Sequence, residues 1–107
     1  MRIPTTVIGD GALLSSRVVK ASPAKLYSLL GYNSGAAQHI QIHETTSLPA
    51  NGVVPKLSFP VGGGLYYSID FGIVGADLSA ITVCNSTTAA TKTLGAADCS
   101  FVAVLRS

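Results

Sequence analysis

Residues 65–71 carry the cleanest pattern in the chain, with Tyr67, Ile69 and Phe71 alternating with Tyr66, Ser68 and Asp70. A period of two is the mark of a strand, because successive side chains leave opposite faces. Residues 38–43 repeat it, with Ile40 and Ile42 on one face and His39, Gln41 and His43 on the other. The preceding run, residues 25–32, predicts a partner strand joined through Asn33-Ser-Gly-Ala-Ala37, a hairpin with a glycine available for positive φ. Residues 81–105 (ITVCNSTTAATKTLGAADCSFVAVL) read as two apolar runs, 80–86 and 99–105, and predict a second hairpin across a long Thr/Ala/Gly connection.

Further strands are expected over 3–8, 12–20 and 53–61, the last confined to an edge or to strand ends by Pro55 and Pro60. Gly9-Asp-Gly11, Ser22-Pro23, Leu48-Pro49, Asn51-Gly52, Gly62–Gly64 and residues 72–77 punctuate these runs as turns. The one place for helix is a single turn over 77–80. The spacing predicts an all-β fold, a single-domain antiparallel β-sandwich, jelly-roll-like, of about seven or eight strands.

Composition changes the picture in one respect. Of 107 residues, 48% are hydrophobic and only 11% charged, against about 25% charged in an ordinary soluble domain. So little charge cannot cover a solvated surface, which predicts that part of the surface is buried against other chains. The net charge of +2 is slight and Arg2, Arg17, Lys20, Lys25, Lys56, Lys92 and Arg106 are scattered, unlike the basic patch of a nucleic-acid binder. No signal peptide is expected at the N-terminus, and no apolar run approaches the roughly 20 residues of a membrane helix. Cytoplasmic synthesis leaves Cys84 and Cys99 reduced at first. They are either two small buried hydrophobes or, if their strands pair, a disulfide across the loop.

Candidate chemistry is sparse. His39 and His43 would share a face on a helix, but on a strand they stand about 13 Å apart, too far for one zinc ion. They are expected as exposed strand residues. Gly62–Gly64 lacks the Gly-Lys-Ser/Thr and helix of a phosphate loop. No nucleophile elbow is present, and Asp10, Glu44, Asp70, Asp77 and Asp98 are spread over separate turns and strand ends. No catalytic residue, cofactor or metal is expected. Asn85-Ser-Thr87 is a glycosylation acceptor only in a secreted eukaryotic protein. Tyr27, Tyr32, Tyr66 and Tyr67 suit core or interface, with Tyr66 and Tyr67 on opposite faces.

Residues 25–44 (KLYSLLGYNSGAAQHIQIHE), 48–55 (LPANGVVP), 68–72 (SIDFG) and 83–93 (VCNSTTAATKT) resemble small all-β virion proteins of tailed bacteriophages, of the type that decorates or cements capsids. The resemblance covers about residues 22–105. It implies a non-enzymatic structural protein on the capsid surface, made in the host cytoplasm, with the major capsid protein as partner. It also implies a homo-oligomer, a trimer or a dimer, with neither nucleic acid nor membrane as partner. A tail or head-fibre component recognising a host-surface glycan is the alternative. On this reading residues 1–11 form an N-terminal arm reaching a neighbour and residues 12–107 the β-sandwich domain. Arg2, Ile3, Pro4, Val7, Ile8 and Tyr66 are the expected interface residues.

Overall fold

Nine strands in two antiparallel sheets form the protein, as seen in a computed structural model that describes residues 5–106. They are β1 (Thr6–Leu14), β2 (Ser16–Lys20), β3 (Ala24–Asn33), β4 (Gln38–His43), β5 (Leu57–Val61), β6 (Leu65–Asp70), β7 (Ala76–Leu78), β8 (Ile81–Ser86) and β9 (Cys99–Arg106). One sheet has the order β1-β9-β3-β6 with β7 also on β3, and the other the order β2-β8-β4-β5. The pairs β1/β9, β2/β8, β3/β6 and β4/β5 are nested, as in one long hairpin folded over on itself. That is the jelly-roll arrangement, which hides most of its backbone by facing two sheets together.

The nesting corrects two expectations. Neither β3 and β4 nor β8 and β9 form a hairpin: each pair is split between the two sheets. Their connections cross over the end of the sandwich, because each strand's apolar face is satisfied only by a partner in the opposite sheet. Residues 76–78 form a short strand where a helical turn was expected.

Between the sheets lie Leu26, Leu29, Phe101, Ala103 and Leu105 from the first sheet and Ile40, Ile42, Ile81 and Val83 from the second, all essentially inaccessible to solvent. Leu26 and Leu29 are three apart, an interval a regular strand cannot bury. A register shift between Leu26 and Ser28 against β9 inserts one extra residue, returns Leu29 to the core and turns Leu30 outward. Gly31 matters for what crosses it. Tyr67 reaches over it to donate its hydroxyl to the Ser100 carbonyl at 2.7 Å, and a Cβ at Gly31 would collide with both groups.

One end of the sandwich is held by amides. Gln38 Nε2 donates to Asn33 Oδ1 at 2.8 Å and to Asp98 Oδ1 at 2.9 Å. Asn85 Nδ2 donates to the same Asp98 oxygen at 3.0 Å and to the Ala96 carbonyl at 2.6 Å. Asn33 Nδ2 reaches the carbonyls of Ala36 and Gly62, and its Oδ1 takes the Gly35 amide. Ends of β3, β4, β8 and β9 are thereby tied to three connections. Gly35 serves here by its size, since a Cβ would strike the Asp98 carboxylate, and its φ is not positive as had been expected. The Asn85 side chain is fully buried in this clasp, which leaves no room for a glycan on it.

Removing the acceptor tests the clasp. Asp98→Ala leaves two buried amides short of a partner and should cost about 2–6 kcal/mol, at 1–3 kcal/mol per unsatisfied group. Phe101→Ala should cost about 3–5 kcal/mol by opening a core cavity. Urea unfolding monitored by tyrosine fluorescence checks both.

Candidate interaction surface

The outer faces of the two sheets differ in kind. Over the β2-β8-β4-β5 sheet the connection 87–98 folds back as a flap and is stitched to the connection 44–56. Gly52 N donates to Lys92 O at 2.7 Å and Lys92 N to Val53 O at 2.8 Å. Asn51 Oδ1 accepts from Lys92 Nζ at 2.6 Å and from Leu94 N at 3.1 Å. Under the flap Gln41 Nε2 lies within hydrogen-bonding reach of the carbonyls of Thr88, Ala89 and Thr91. Ser86 Oγ accepts from the amides of Thr88 and Thr93, closing the flap's own turn.

Gln41, His43, Cys84 and Lys92 are therefore buried, Lys92 to 3% exposure. The face assigned to His39, Gln41 and His43 is as expected, opposite Ile40 and Ile42. The expectation of exposed histidines fails for His43, because the flap covers it. Burial, reinforced by the Lys92 ammonium, holds His43 below its ordinary 6.5. Burial also pushes the Cys84 and Cys99 thiols up to about 11. Both cysteines are free, Cys84 under the flap on one sheet and Cys99 in the core on the other.

The β1-β9-β3-β6 sheet has no such cover among the described residues. The register puts Val7, Val104, Ser28 and Asp70 in one row of its outer face, Gly9, Val102, Leu30 and Ser68 in the next, and Tyr32 beside Tyr66 beyond them. The two tyrosine rings lie 4.7 Å apart at 48°. Beside this face the 71–75 connection presents Ile73 and Val74, 85% and 75% exposed. Ile73, Tyr27 and Val104 line a shallow depression of about 310 Å³ with Thr5, Asp70 and Gly72.

Of the expected interface residues, Val7 and Tyr66 are on this face at its two edges, 62% and 83% exposed. Ile8 points the other way and packs, half-buried, against the core. Arg2, Ile3 and Pro4 lie outside the described residues, and the arm boundary expected at Gly11 falls inside β1. Sequence reasoning missed Leu30, Val102, Val104, Ile73 and Val74. A signal existed for most of them: Phe101-Val-Ala-Val-Leu105 is apolar on both faces of its strand, and Ile73-Val74 is an apolar pair between two glycines in a turn.

No protein-family profile matches the chain, and no curated protein is significantly similar to it in sequence. Among solved structures, the coat protein of Tobacco streak virus is similar at 12% identity over 100% of this chain and 90% of that one, with a TM-score of 0.47. The jelly-roll assignment rests on the strand order itself.

Two measurements follow from the buried groups. At pH 8 a thiol at about 11 is only ~0.1% ionised, so neither cysteine should react with a thiol reagent within minutes until denaturant is added. A histidine held below 6.5 in the folded chain is protonated more readily when unfolded. Its share of stability is complete above about pH 6.5 and declines as the pH falls through that value. The urea midpoint should drop between about pH 7 and pH 5, and His43→Gln should flatten the drop.

Proposed function

We propose that the protein is a virion structural subunit, a cement or decoration protein of a bacteriophage capsid that binds the outside of the shell and bridges neighbouring copies of the major capsid protein. The observation that carries this reading is the open apolar face of the β1-β9-β3-β6 sheet with Ile73 and Val74 at its border. An exposed face that carries Val7, Val104, Val102, Leu30 and Tyr66 among Ser28, Ser68 and Asp70 is of the kind that docks a partner. A charged share of 11% suits a protein whose working state is an assembly. Jelly rolls serve in viral capsids among other roles, and the sequence resemblance to phage decoration proteins points the same way.

Bridging explains how small contacts become strong. Each copy makes a modest interface, and the shell opens only when many interfaces fail together. The clasp at one end of the sandwich and the flap over its second sheet keep the docking face in one shape, so little entropy is lost on binding.

Copy number in purified particles, by quantitative mass spectrometry against the major shell protein, tests the role. A fixed ratio over hundreds of copies supports cement; a dozen copies or fewer overturns it in favour of a tail or fibre that meets the host surface. Leu30→Glu and Ile73→Glu place charges in the docking face and should each lower shell occupancy about tenfold or more, the equivalent of ~1.4 kcal/mol. Lys56→Ala, at the opposite sheet, should leave occupancy unchanged.

A further inference from the structure

A sandwich has four edge strands, and each is a template for pairing with another chain unless something blunts it. Three of the four here are blunted. β1 takes Gly9 at φ 119° and loses register between Asp10 and Leu14. β2 is five residues long, shifts register between Val18 and Lys20, and carries Arg17 and Lys20. β5 contains Pro60. β7, on the same side of β3 as β6, is only three residues long.

β6 has none of these devices. Leu65–Asp70 pairs with β3 in unbroken register from Ser28 to Asn33, without proline, glycine, bulge or basic residue. Among the described residues nothing pairs with its other side. The Phe71 amide donates to the Tyr27 carbonyl at 2.8 Å. Antiparallel alternation then directs the backbone groups of Leu65, Tyr67 and Ile69 toward β3, and those of Tyr66, Ser68 and Asp70 toward the free side.

We infer that β6 is a homodimerisation edge, pairing antiparallel with β6 of a second copy about a two-fold axis at Ser68. Pairing among the free-side groups requires hydrogen-bonded partners drawn from Tyr66, Ser68 and Asp70. Centring on Ser68 uses all three, with Tyr66 against Asp70 and Ser68 against its own copy. The intervening pair is then Tyr67 against Ile69, an aromatic and a β-branched side chain of the kind that stabilises cross-strand contacts. Asp70 is the only charge on the strand. Its two copies lie four residues apart along the pairing, about 13 Å, beyond the screening length of physiological salt. No like charges oppose one another, so the strand is complementary to itself.

The pairing also covers Leu65 and Tyr66, which line the apolar cleft between β5 and β6 with Ile40, Phe59 and Val61. It produces one continuous sheet through the axis and presents two docking faces side by side. The inference stands apart from the capsid role, because it is read on the free protein with no shell present.

Sedimentation velocity over concentrations up to about 1 mM tests it on the full chain. The wild type should shift reversibly from 10.9 kDa to twice that mass. Ser68→Pro removes an amide that points away from β3, so the fold is kept and the dimer dissociation constant should rise about tenfold or more. Ser68→Lys, which sets two ammonium groups at the axis, should act likewise, and circular dichroism checks that both variants remain folded. In Ser68→Cys, a short bismaleimide should join the two copies, since the native cysteines are buried. A wild type that stays monomeric throughout, a dimer indifferent to both Ser68→Pro and Ser68→Lys, or a dimer in which Ser68→Cys does not cross-link would each overturn the assignment.

Discussion

Three amides and one carboxylate set the architecture of this chain. A jelly roll sends most of its connections across the ends of the sandwich, so turn backbone is repeatedly brought against a closed core. Each buried carbonyl or amide left without a partner there costs on the order of 1–3 kcal/mol. Asn33, Gln38 and Asn85 supply donors and acceptors in fixed positions, and Asp98 Oδ1 receives two of those donors. Because these residues come from the ends of β3, β4 and β8 and the position just before β9, their satisfaction couples the two sheets. Cys99 lies beside them with its sulfur 3.3 Å from Gln38 Nε2. The scarcity of charge makes this more important: three surface ion pairs, Arg17–Asp10, Lys25–Asp77 and Lys56–Glu44, add little to stability.

A division between the two sheets follows. One outer face is closed by the 87–98 flap, which buries a lysine, a histidine and a cysteine beneath Thr/Ala-rich backbone. The Lys92 ammonium is tolerated there because it donates a hydrogen bond to Asn51 Oδ1 at 2.6 Å and the flap backbone is held by the 44–56 connection. Among the described residues the other outer face stays open, with Val7, Leu30, Val102, Val104 and Tyr66 set among Ser28, Ser68 and Asp70. Covering one side and baring the other leaves, among the described residues, a single uncovered sheet face and a single unblunted edge.

The chain's alternation was legible where a strand has one wet side. β6 and β4 were visible because Tyr67, Ile69, Ile40 and Ile42 repeat every second residue, and the extent of β8 and β9 was nearly read off from their apolar runs. Pairing was not legible. A short connection between two strands looks alike whether it turns within a sheet or crosses to the facing one, and so β3/β4 and β8/β9 were expected as hairpins. The exposed site was half legible: Val7 and Tyr66 carry apolar surface in a chain too poor in charge to hide it. Leu30 was not, because the extra residue between Leu26 and Ser28 reverses its face, and nothing local in Leu26-Tyr-Ser-Leu-Leu30 marks that shift.

By itself the sequence determined the class: an all-β domain, interrupted often by glycine and proline, with too few charges to remain solvated on every side. Those properties are local or additive, summed over residues without knowing what each one meets. Only the tertiary structure decided which sheet each strand joins, that His43 and Lys92 are buried, and that, among the described residues, one sheet face is left uncovered and one edge strand unblunted. Those properties depend on contacts between residues tens of positions apart, such as Gln38 with Asp98 and Asn51 with Lys92. Such contacts exist only after the chain has closed on itself.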